Sequence, residues 1–408
     1  MTDTLTPVTT SPPSPPARAD RTRVPLALAA LATGGFAIGT TEFVTMGLLP
    51  QVAAGTGVDI PTAGHYVSAY ALGVVVGAPL LTVLVARRPR KGVLLGLMGV
   101  FAVFNVASGF ATSYGALMGL RFLAGLPHGA YFGIGSVVAA SLVPKEKRTA
   151  AVASMLIGLG VANVVGVPLT TRLGQDVGWA VPYWLVGIIG ALTVLAIALW
   201  IPRQPAPSGA SVGSELSALR RGQVWFALVF GTVGFGGMFA TYSYITPTMT
   251  HLAGFSEGFV PVVLGLYGVG QVLGMVVAGR VARYGVLRMM AVSTLAIAVA
   301  LALFGWAAHV PALAVVFSVL LGFLPSILVP LLQTRLMDVA RDGQSLAAAL
   351  NHSTLNIANA LGAWLGSLVL AAGYGYEWPS RIGAVLAVLG LGVLGLSVLV
   401  ARRQAARV

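Results

Sequence analysis

Glu42 lies inside an apolar stretch of the sequence, GGFAIGTTEFVTMGLLP (34–50), and it is the residue with the clearest capacity for chemistry. It is one of eleven acidic residues, and the others fall in predicted loops, in a linker or near the N-terminus. A carboxylate within an apolar helix loses its hydration, so such residues are rare and are commonly paired with a cation or exchange protons. The sequence predicts a proton-exchanging role for Glu42. The alternative is an ion pair that only joins two helices.

Arg121 and His128 are the predicted partners of Glu42. Arg121 falls within a predicted helix, at about the same depth as Glu42, roughly 9 Å from the same end of the helices. His128 follows Arg121 by about two helical turns, so the two side chains share a face, and an imidazole can titrate near neutral pH. We therefore predict a proton-coupling set of Glu42, Arg121 and His128. Helix packing is the alternative role for the arginine and for the histidine.

The composition indicates a protein that crosses a membrane many times. Of 408 residues, 57% are hydrophobic and only 9% are charged, which is too little charge to cover a soluble protein of this size. Apolar runs of about 20 residues, long enough to span a bilayer as a helix, recur along the chain. Helices satisfy their own backbone groups in lipid, so we predict an all-α polytopic membrane protein. The twelve predicted spans are residues 24–48, 62–85, 92–110, 115–140, 149–172, 179–201, 223–249, 258–279, 286–306, 311–334, 344–371 and 380–401.

Three segments lie outside the predicted spans. Residues 1–23 are rich in Pro and Ser and are predicted to be a disordered tail. Residues 202–222 mix Pro, Ser and Gly with charge and are predicted to be a linker, and residues 402–408 form a second tail. The chain has no Cys and no His pair at metal-ligand spacing, so we predict neither a disulfide, nor a metal site, nor a cofactor.

The basic residues set the predicted orientation. The chain carries 24 Lys and Arg and a formal net charge of +13. Most of these residues fall in the two tails, in the linker and in alternate loops, which is the distribution that the positive-inside rule describes for cytoplasmic segments. We therefore predict that both termini are cytoplasmic, and we attribute the positive charge to membrane orientation rather than to nucleic-acid binding.

Two patterns repeat between the first and second six predicted helices. The pattern Tyr70-x2-Gly73-x3-Gly77 recurs at the same offset in all three residues as Tyr267-x2-Gly270-x3-Gly274. Asn163-x2-Gly166 in the fifth span recurs as Asn359-x2-Gly362 in the eleventh. We predict two parallel halves, residues 24–201 and 223–401. Such repeats are typical of transporters that hold a substrate near the membrane midplane between the halves.

Aromatic and amide side chains within the spans suggest a substrate cavity. Aromatic residues with a few polar groups suit an amphiphilic ligand. Interhelical hydrogen bonding is the alternative for the amides, and anchoring at the membrane interface is the alternative for the aromatics. The predicted cavity residues are Phe36, Phe43, Tyr242, Tyr244, Gln271, Asn351 and Asn356.

Several stretches resemble a known family. TVLVARRPRK (82–91), RFLAGLPHGAYFG (121–133) and GLGVANVVGVPL (158–169) resemble the loop, fourth-helix and fifth-helix motifs of the major facilitator superfamily, within its drug:proton antiporter branch. GTTEFVTMGLLPQVA, TYSYITP and AALNHSTLNIANALGAWLG resemble the arabinose-efflux-permease and chloramphenicol-resistance-like subgroup. The resemblance implies the major facilitator fold, a monomer and proton-driven efflux. It also implies conformational roles for Arg87, Arg90, Lys91, Asn163, Gly166 and Pro168.

The loop motif departs from the family pattern. The acidic position of the motif falls on Ala86 in this chain, and its glycine positions fall on Thr82 and Pro89. In the family, that acid helps to latch the cytoplasmic side of the outward-facing state. The resemblance therefore implies the fold, but this chain lacks the acidic residue that contributes to the latch in the family.

These observations favour a proton-coupled antiporter of the bacterial cytoplasmic membrane, which exports a small, amphiphilic molecule by alternating access and has Glu42 as the proton carrier. Its expected partners are the substrate, protons and the lipid bilayer. One alternative is a uniporter or symporter for a sugar or nucleoside. A receptor or scaffold that transports nothing is another. An intramembrane enzyme is disfavoured, because the spans contain one acid and no metal cluster.

Overall fold

The computed structural model describes residues 23–58, 60–204 and 211–405, and all regular secondary structure within these ranges is helical. Except for Arg23, the predicted N-terminal tail lies outside the described residues, as do residues 205–210 of the linker and 406–408 of the C-terminal tail. The twelve long helices are α1 (Val24–Gly47), α2 (His65–Leu84), α3 (Arg90–Ser108), α4 (Tyr114–Ser141), α5 (Arg148–Val161, continued by Ala162–Gly166 and Val167–Asp176), α6 (Val181–Trp200), α7 (Gly222–Ser243), α8 (Val260–Val281), α9 (Val286–Ala307), α10 (Pro311–Ala340), α11 (Gln344–Ala371) and α12 (Trp378–Ala405).

Eleven helical stretches of the described chain are long and apolar enough to cross a membrane. One of them, Pro311–Ala371, contains both α10 and α11, which the short turn Arg341–Gly343 separates. The prediction of an all-α protein with twelve spanning helices is therefore confirmed. The helix α10 ends at Ala340 and is six residues longer than the predicted span 311–334, because the apolar pattern stops before the helix does.

The predicted span 223–249 is divided into two helices. α7 ends at Ser243, and a short helix, Ile245–His251, follows after Tyr244 leaves helical geometry. Pro247 explains the break, since proline has no N–H to donate to the carbonyl group four residues earlier. The first predicted span is followed by a similar short helix, Leu49–Thr56, which has a proline in its first turn. Both breaks lie at the same end of the bundle.

The two halves repeat the same helix packing. In the first half, α2 packs on α4, α1 packs on α5 and α6, and α3 packs on α4 and α6. In the second half, the helices six places later pack in the same way: α8 on α10, α7 on α11 and α12, and α9 on α10 and α12. The parallel pseudo-repeat predicted from the sequence is present in the fold.

The repeated glycines explain one of these interfaces. A Cβ atom at Gly73 would overlap the carbonyl oxygen of Phe122 in α4, and a Cβ atom at Gly270 would overlap that of Val319 in α10. Small residues let the backbones of neighbouring helices approach closely in a membrane. The pattern noticed in the sequence therefore marks the contact between the second and fourth helix of each half.

The halves meet mainly at one end of the bundle, which we call the linker face because the described linker residues, 202–204 and 211–222, lie there. Thr149 of α5 and Thr334 of α10 are hydrogen-bonded at this face, with 3.1 Å between their hydroxyl oxygens. The buried apolar core of the first half also includes Met337 and Ala348 of the second half. At the opposite face, the contacts of Tyr244, Thr248 and His251 are with residues of their own half. The structure is thus closed at the linker face.

Candidate functional site

Arg121 of α4 is fully buried, and its guanidinium group is held by the neighbour of Glu42 in α1. One terminal nitrogen donates to the hydroxyl group of Thr41 and the other donates to the Thr41 carbonyl oxygen, each at 2.9 Å. The guanidinium carbon lies 4.5 Å from the centre of the Tyr70 ring and 5.4 Å from that of Tyr183. Cations bind favourably over aromatic faces when water is excluded. Four helices, α1, α2, α4 and α6, therefore fix the position of one cation.

Thr41 is itself fixed by a fifth helix. Its hydroxyl group donates to the side-chain oxygen of Asn105 in α3, and the Asn105 amide nitrogen donates to the carbonyl oxygen of Phe101 at 2.8 Å. Thr41 and Asn105 are both fully buried. Each polar group of this network has a partner, as burial in an apolar bundle requires. Within this network the exception is the third guanidinium nitrogen of Arg121, Nε, which is buried and has no hydrogen-bond partner among the described residues.

Glu42 forms no ion pair with Arg121 within 4 Å. Among the described residues, the one carboxylate–cation contact within 4 Å joins Arg172 and Asp176, at 2.8 Å. Glu42 is half-buried, next to Thr41 in sequence, and it interacts electrostatically with Arg121 and Tyr70. The reason is geometric, because Thr41 occupies the donors of Arg121 that face α1. The carboxyl group is left near a buried cation without being tied to it.

His128 lies deeper in the bundle and connects this cluster to the other half. Its Nδ1 atom is 3.1 Å from the hydroxyl group of Tyr70, whose ring lies under Arg121. Its ring centre is 5.3 Å from that of His352, which belongs to α11 in the second half. His352 stacks on Phe132 with ring centres 4.4 Å apart, and its Nε2 atom is buried without a hydrogen-bond partner among the described residues. A series of contacting side chains therefore runs from Arg121 through Tyr70 and His128 to His352 at the interface between the halves, and Glu42 lies near its Arg121 end.

The predicted conformational residues of α5 lie at a second contact between the halves. The Asn163 amide nitrogen donates to the side-chain oxygen of Gln271 in α8, at 2.8 Å. The structure thus joins two residues that the sequence analysis placed in different groups. Residues Ala162–Gly166 form a π-helical turn, and Pro168 follows it in the first turn of the continuing helix. Proline removes a backbone donor, and single π turns in α-helices occur frequently at functional sites.

Gly166 and Phe36 are in contact beside this turn. A Cβ atom at Gly166 would meet the hydroxyl group of Thr40 and the ring of Phe36. Phe36 is half-buried, as is Phe43 one turn beyond Thr40. The structure therefore places Phe36, one of the predicted cavity residues, at the junction of α1 with the irregular part of α5.

Tyr242 lines a small cavity within the second half. The other lining residues include Met238 of α7, Tyr267 of α8 and Leu321 of α10. The rings of Tyr242 and Tyr267 have their centres 4.6 Å apart, and the Tyr267 hydroxyl group donates to the Met238 sulfur at 3.4 Å. The lining consists of aromatic rings, a thioether and aliphatic groups, and the space that it encloses is about the size of one water molecule.

Three predicted cavity residues make packing contacts instead. The Tyr244 hydroxyl group donates to the carbonyl oxygen of Ala363 in α11, at 3.0 Å. Asn351 is fully buried and its amide donates to the side chain of Gln333, and the Asn356 amide donates to the backbone of its own helix. These contacts agree with the alternative interpretation of the amides as interhelical or intrahelical hydrogen-bond partners.

The basic loop residues differ in their surroundings. Arg87 is exposed, whereas the ammonium group of Lys91 donates to the carbonyl oxygen of Ala198 in the last turn of α6, at 2.7 Å. A cation at that position satisfies a free carbonyl group and opposes the helix dipole. Arg90 is half-buried and lines a cavity with Ala86, Glu215 and Ser345. Arg90 thus faces the linker and α11, and Lys91 faces its own half.

Sequence reasoning missed His352 and the role of Thr41. His352 belongs to the stretch AALNHSTLNIANALGAWLG, and a second histidine within a span was a usable signal. Thr41 gave no signal of its own, because threonine occurs in membrane helices as a common packing residue and its partner Arg121 is eighty residues away.

Comparison with known proteins agrees with this architecture. The family model described as Major Facilitator Superfamily matches residues 31–282 and 242–407. "Inner membrane transport protein YdhP" of Escherichia coli (strain K12) is 41% identical over 377 residues, which cover 92% of this chain and 96% of that protein. "Putative transporter AraJ" of the same organism is 34% identical, with 92% and 96% covered. "Chloramphenicol resistance protein" of Streptomyces lividans is 32% identical, with 90% and 95% covered.

Solved structures share the fold at low identity. The human organic anion transporter MFSD10 (TETRAN) superimposes with a TM-score of 0.73 at 15% identity, and 93% of this chain and 100% of that chain are covered. FucP in the outward conformation superimposes with a TM-score of 0.72 at 17% identity, with 92% and 99% covered. The matched proteins are transporters rather than enzymes, which confirms the prediction that the chain is not an enzyme.

Proposed function

The chain belongs to the major facilitator superfamily, and we propose that it is a proton-coupled antiporter that exports a small amphiphilic molecule from the cytoplasm. The observation that carries this proposal is the position of Glu42, a half-buried carboxyl group beside a fully buried arginine that Thr41 holds. A carboxyl group in this setting can bind and release a proton without breaking the bonds that position the cation.

Glu42 is the proposed proton carrier, and its carboxyl group interacts electrostatically with the guanidinium group of Arg121. When the carboxyl group is ionised, it balances the buried guanidinium group. When it is protonated, the positive charge of Arg121 is left without that balance, and an unbalanced buried charge is unfavourable. Tyr70, His128 and His352 connect Arg121 to α11 of the second half. Protonation of Glu42 is therefore proposed to change the stability of the contact between the halves through these side chains.

Alternating access supplies the transport step. The halves are packed against each other at the linker face. Rocking of one half against the other opens one face while it closes the other. The Asn163–Gln271 bond and the irregular turn of α5 lie where the halves would pivot, so they are the proposed hinge contacts.

The linker face is the proposed cytoplasmic face. The linker, the α2–α3 loop and the α4–α5 loop carry clustered Arg and Lys on this face, as the positive-inside rule describes. The relatives include a protein named as an inner membrane transport protein, so the bacterial inner membrane is the proposed location. In this orientation the closed linker face is the cytoplasmic one, and protons are proposed to reach Glu42 from the outside. The halves 24–201 and 223–401, joined by the linker 202–222, are the proposed rigid units of a monomer.

The substrate is proposed to be an apolar or aromatic compound of antibiotic size. The Tyr242–Tyr267 cavity of the second half and the partly exposed rings of Phe36 and Phe43 in the first half offer aromatic surface. Two observations support efflux of such compounds: this lining, and the name of the Streptomyces lividans relative, which is a chloramphenicol resistance protein.

Purified protein in liposomes tests the proposal. An imposed pH gradient would be the only energy source, and chloramphenicol, cationic dyes, arabinose and nucleosides would be followed one at a time. We expect an amphiphilic compound to move opposite to the proton and to accumulate against its own gradient. Movement with the proton would instead show a symporter, and movement that ignores the pH gradient would show a uniporter. Either of these results would contradict the proposal.

A further inference from the structure

The structure points to Glu215 of the linker as the residue that latches the two halves together at the linker face. We propose that its carboxyl group holds the linker face closed, as the acid of the α2–α3 loop motif would do if position 86 were not alanine. This inference rests on the proposed alternating access, because a latch has a function only if the halves separate at this face. It concerns a residue that the sequence analysis placed in the linker without any role.

Glu215 is buried although it belongs to a segment between two domains. Only 7% of the residue is exposed, and it lies in the short helix Val212–Leu216. Ser211 begins this helix and exchanges hydrogen bonds with Ser214, at 2.8 and 3.0 Å, which fixes the backbone that precedes Glu215. Because these hydrogen bonds fix the start of the short helix, they also fix the side from which the Glu215 side chain leaves the backbone.

The carboxyl group of Glu215 caps α11 of the second half. Its Oε2 atom accepts a hydrogen bond from the backbone N–H of Leu346 at 2.9 Å, and Ser345 lines the same cavity as the carboxyl group. Leu346 lies in the first turn of α11, where backbone N–H groups have no partner inside the helix. An acceptor at that place satisfies one of these groups and interacts favourably with the helix dipole.

The same carboxyl group faces the loop of the first half. Glu215 lines one cavity together with Ala86, Arg88 and Arg90 of that loop and Ser345 of α11. Arg90 interacts electrostatically with Glu215, with no ion pair within 4 Å in the described chain. The carboxyl group therefore stands between both halves: it is bonded to one and attracted by the cations of the other.

The backbone around Glu215 is also in contact with the second half. A Cβ atom at Gly343, in the turn before α11, would overlap the carbonyl oxygen of Glu215 and the side chain of Ala218. Such close backbone contact means that the linker cannot shift without moving the start of α11. When the halves part at the linker face, the Leu346 N–H group must lose its acceptor or the linker must leave the loop.

A disulfide reporter tests this latch directly, since the chain has no Cys of its own. Thr149→Cys and Thr334→Cys place two thiols across the halves at the linker face, where the hydroxyl oxygens are now 3.1 Å apart. The pair lies on α5 and α10, away from Glu215, so its oxidation in membranes by diamide reports closure of the face as a whole. The measurement needs neither substrate nor proton gradient, so its outcome is independent of whether the protein is an antiporter.

We expect Glu215→Ala to lower the ratio of closed to open linker face by roughly 2- to 30-fold, the effect typical for loss of an acceptor at a helix N-terminus. Glu215→Gln keeps an acceptor oxygen and should retain most of the cross-linking. Ala86→Asp, added to Glu215→Ala, should restore it, because an acid on the loop can reach the same cavity. Glu146→Ala removes an exposed acid of the same face and serves as the matched control.

Two results would overturn the proposal: cross-linking of Glu215→Ala equal to that of the parent pair, or a loss in Glu215→Ala that Ala86→Asp does not restore. Size-exclusion chromatography of each variant in detergent shows whether it is folded. If Glu215→Ala does not fold, a Glu215→Gln variant that cross-links no better than a Glu215→Leu variant would equally contradict the latch.

Discussion

Arg121 shows how the cluster at α1 separates two tasks that a simple ion pair would combine. Thr41 holds the guanidinium group through two bonds of 2.9 Å, and Asn105 holds Thr41. Glu42 supplies a charge nearby without fixing the position of the cation. Because positioning does not depend on the ionisation of the carboxyl group, Glu42 can change its charge while the helices keep their places.

Arg121→Lys tests this division of tasks. An ammonium group is a point charge and cannot donate to the Thr41 hydroxyl and carbonyl oxygens in the same planar geometry. We expect the maximal rate of proton-driven transport in liposomes to fall by roughly 5- to 150-fold, the usual range of coupling between two sites. Arg172→Lys is the matched control, since its side chain is 74% exposed and it pairs only with Asp176. A wild-type rate in Arg121→Lys would contradict the role of the two bonds.

At the residue scale, the sequence was sufficient to select Glu42, Arg121 and His128, because charged or titratable groups are conspicuous in apolar helices. It was insufficient to find what they touch. Thr41 and His352 become partners only when α1 approaches α4 and when α11 of the other half approaches α4. Partner choice depends on helix rotation and depth to within a few Å, and neither is encoded in the spacing of residues along one helix.

Glycines at helix contacts decide how closely the helices of each half approach. Gly73 and Gly270 lie against backbone carbonyl groups of α4 and α10, whereas Gly96 in α3 has no atom near the place where a Cβ atom would stand. The same residue type therefore has a structural role at two positions and none at the third. Because the repeated pattern contains the first two, the sequence could identify the packed glycines from their recurrence.

Gly73→Ala should destabilise the first half by about 1–3 kcal/mol, the usual cost of added volume in a packed interior. The added methyl group would meet the Phe122 carbonyl oxygen, and a backbone cannot move aside as easily as a side chain. Thermal unfolding in detergent measures the effect, with Gly96→Ala as the control, which should leave the midpoint unchanged or raise it slightly because alanine favours the helix more than glycine does. Equal midpoints for the two variants would show that the α2–α4 contact is looser than the structure indicates.

The junction at Glu215 should respond to pH in a defined direction. Burial raises the pKa of this carboxyl group above its ordinary value of 4.5, and the Leu346 N–H group, Ser345 and Arg90 lower it by less. A raised pKa means that the closed junction binds the proton more tightly than a water-exposed carboxyl group does. The closed form is therefore favoured fully below pH 4.5, and this contribution is lost as the pH rises through the raised pKa.

Cross-linking between positions 149 and 334 at a series of pH values measures this response. We expect the yield to increase as the pH falls from 8 toward about 4.5, after correction for thiol ionisation with a separate reference pair within one half. In Glu215→Gln the curve should be flat, because the amide does not titrate. The other charged groups that line the cavity are Arg88 and Arg90. A cross-linking yield that decreases as the pH falls, in the parent protein, would contradict the assignment of this response to the raised pKa of Glu215.

At the scale of the whole molecule, the protein consists of two similar six-helix halves. The halves are in contact mainly at the linker face, so they touch along only part of the length of their helices. The sequence was sufficient to predict this plan, because span length, basic loops and the repeated glycines are local signals. It did not indicate which face is closed. That property depends on the balance of contacts between halves, such as the Thr149–Thr334 bond and the Glu215 junction, and on no single pattern.

The proton flux that accompanies substrate movement tests the central claim most directly. Everted membrane vesicles would hold a pH gradient reported by a quenched dye, and each compound of the panel would be added to the parent protein, Glu42→Gln and Glu146→Gln at matched expression. We predict that one compound dissipates the gradient with the parent and with Glu146→Gln, and that it has no effect with Glu42→Gln. Full dissipation with Glu42→Gln, in protein that elutes as folded, would contradict the assignment of Glu42 as the proton carrier.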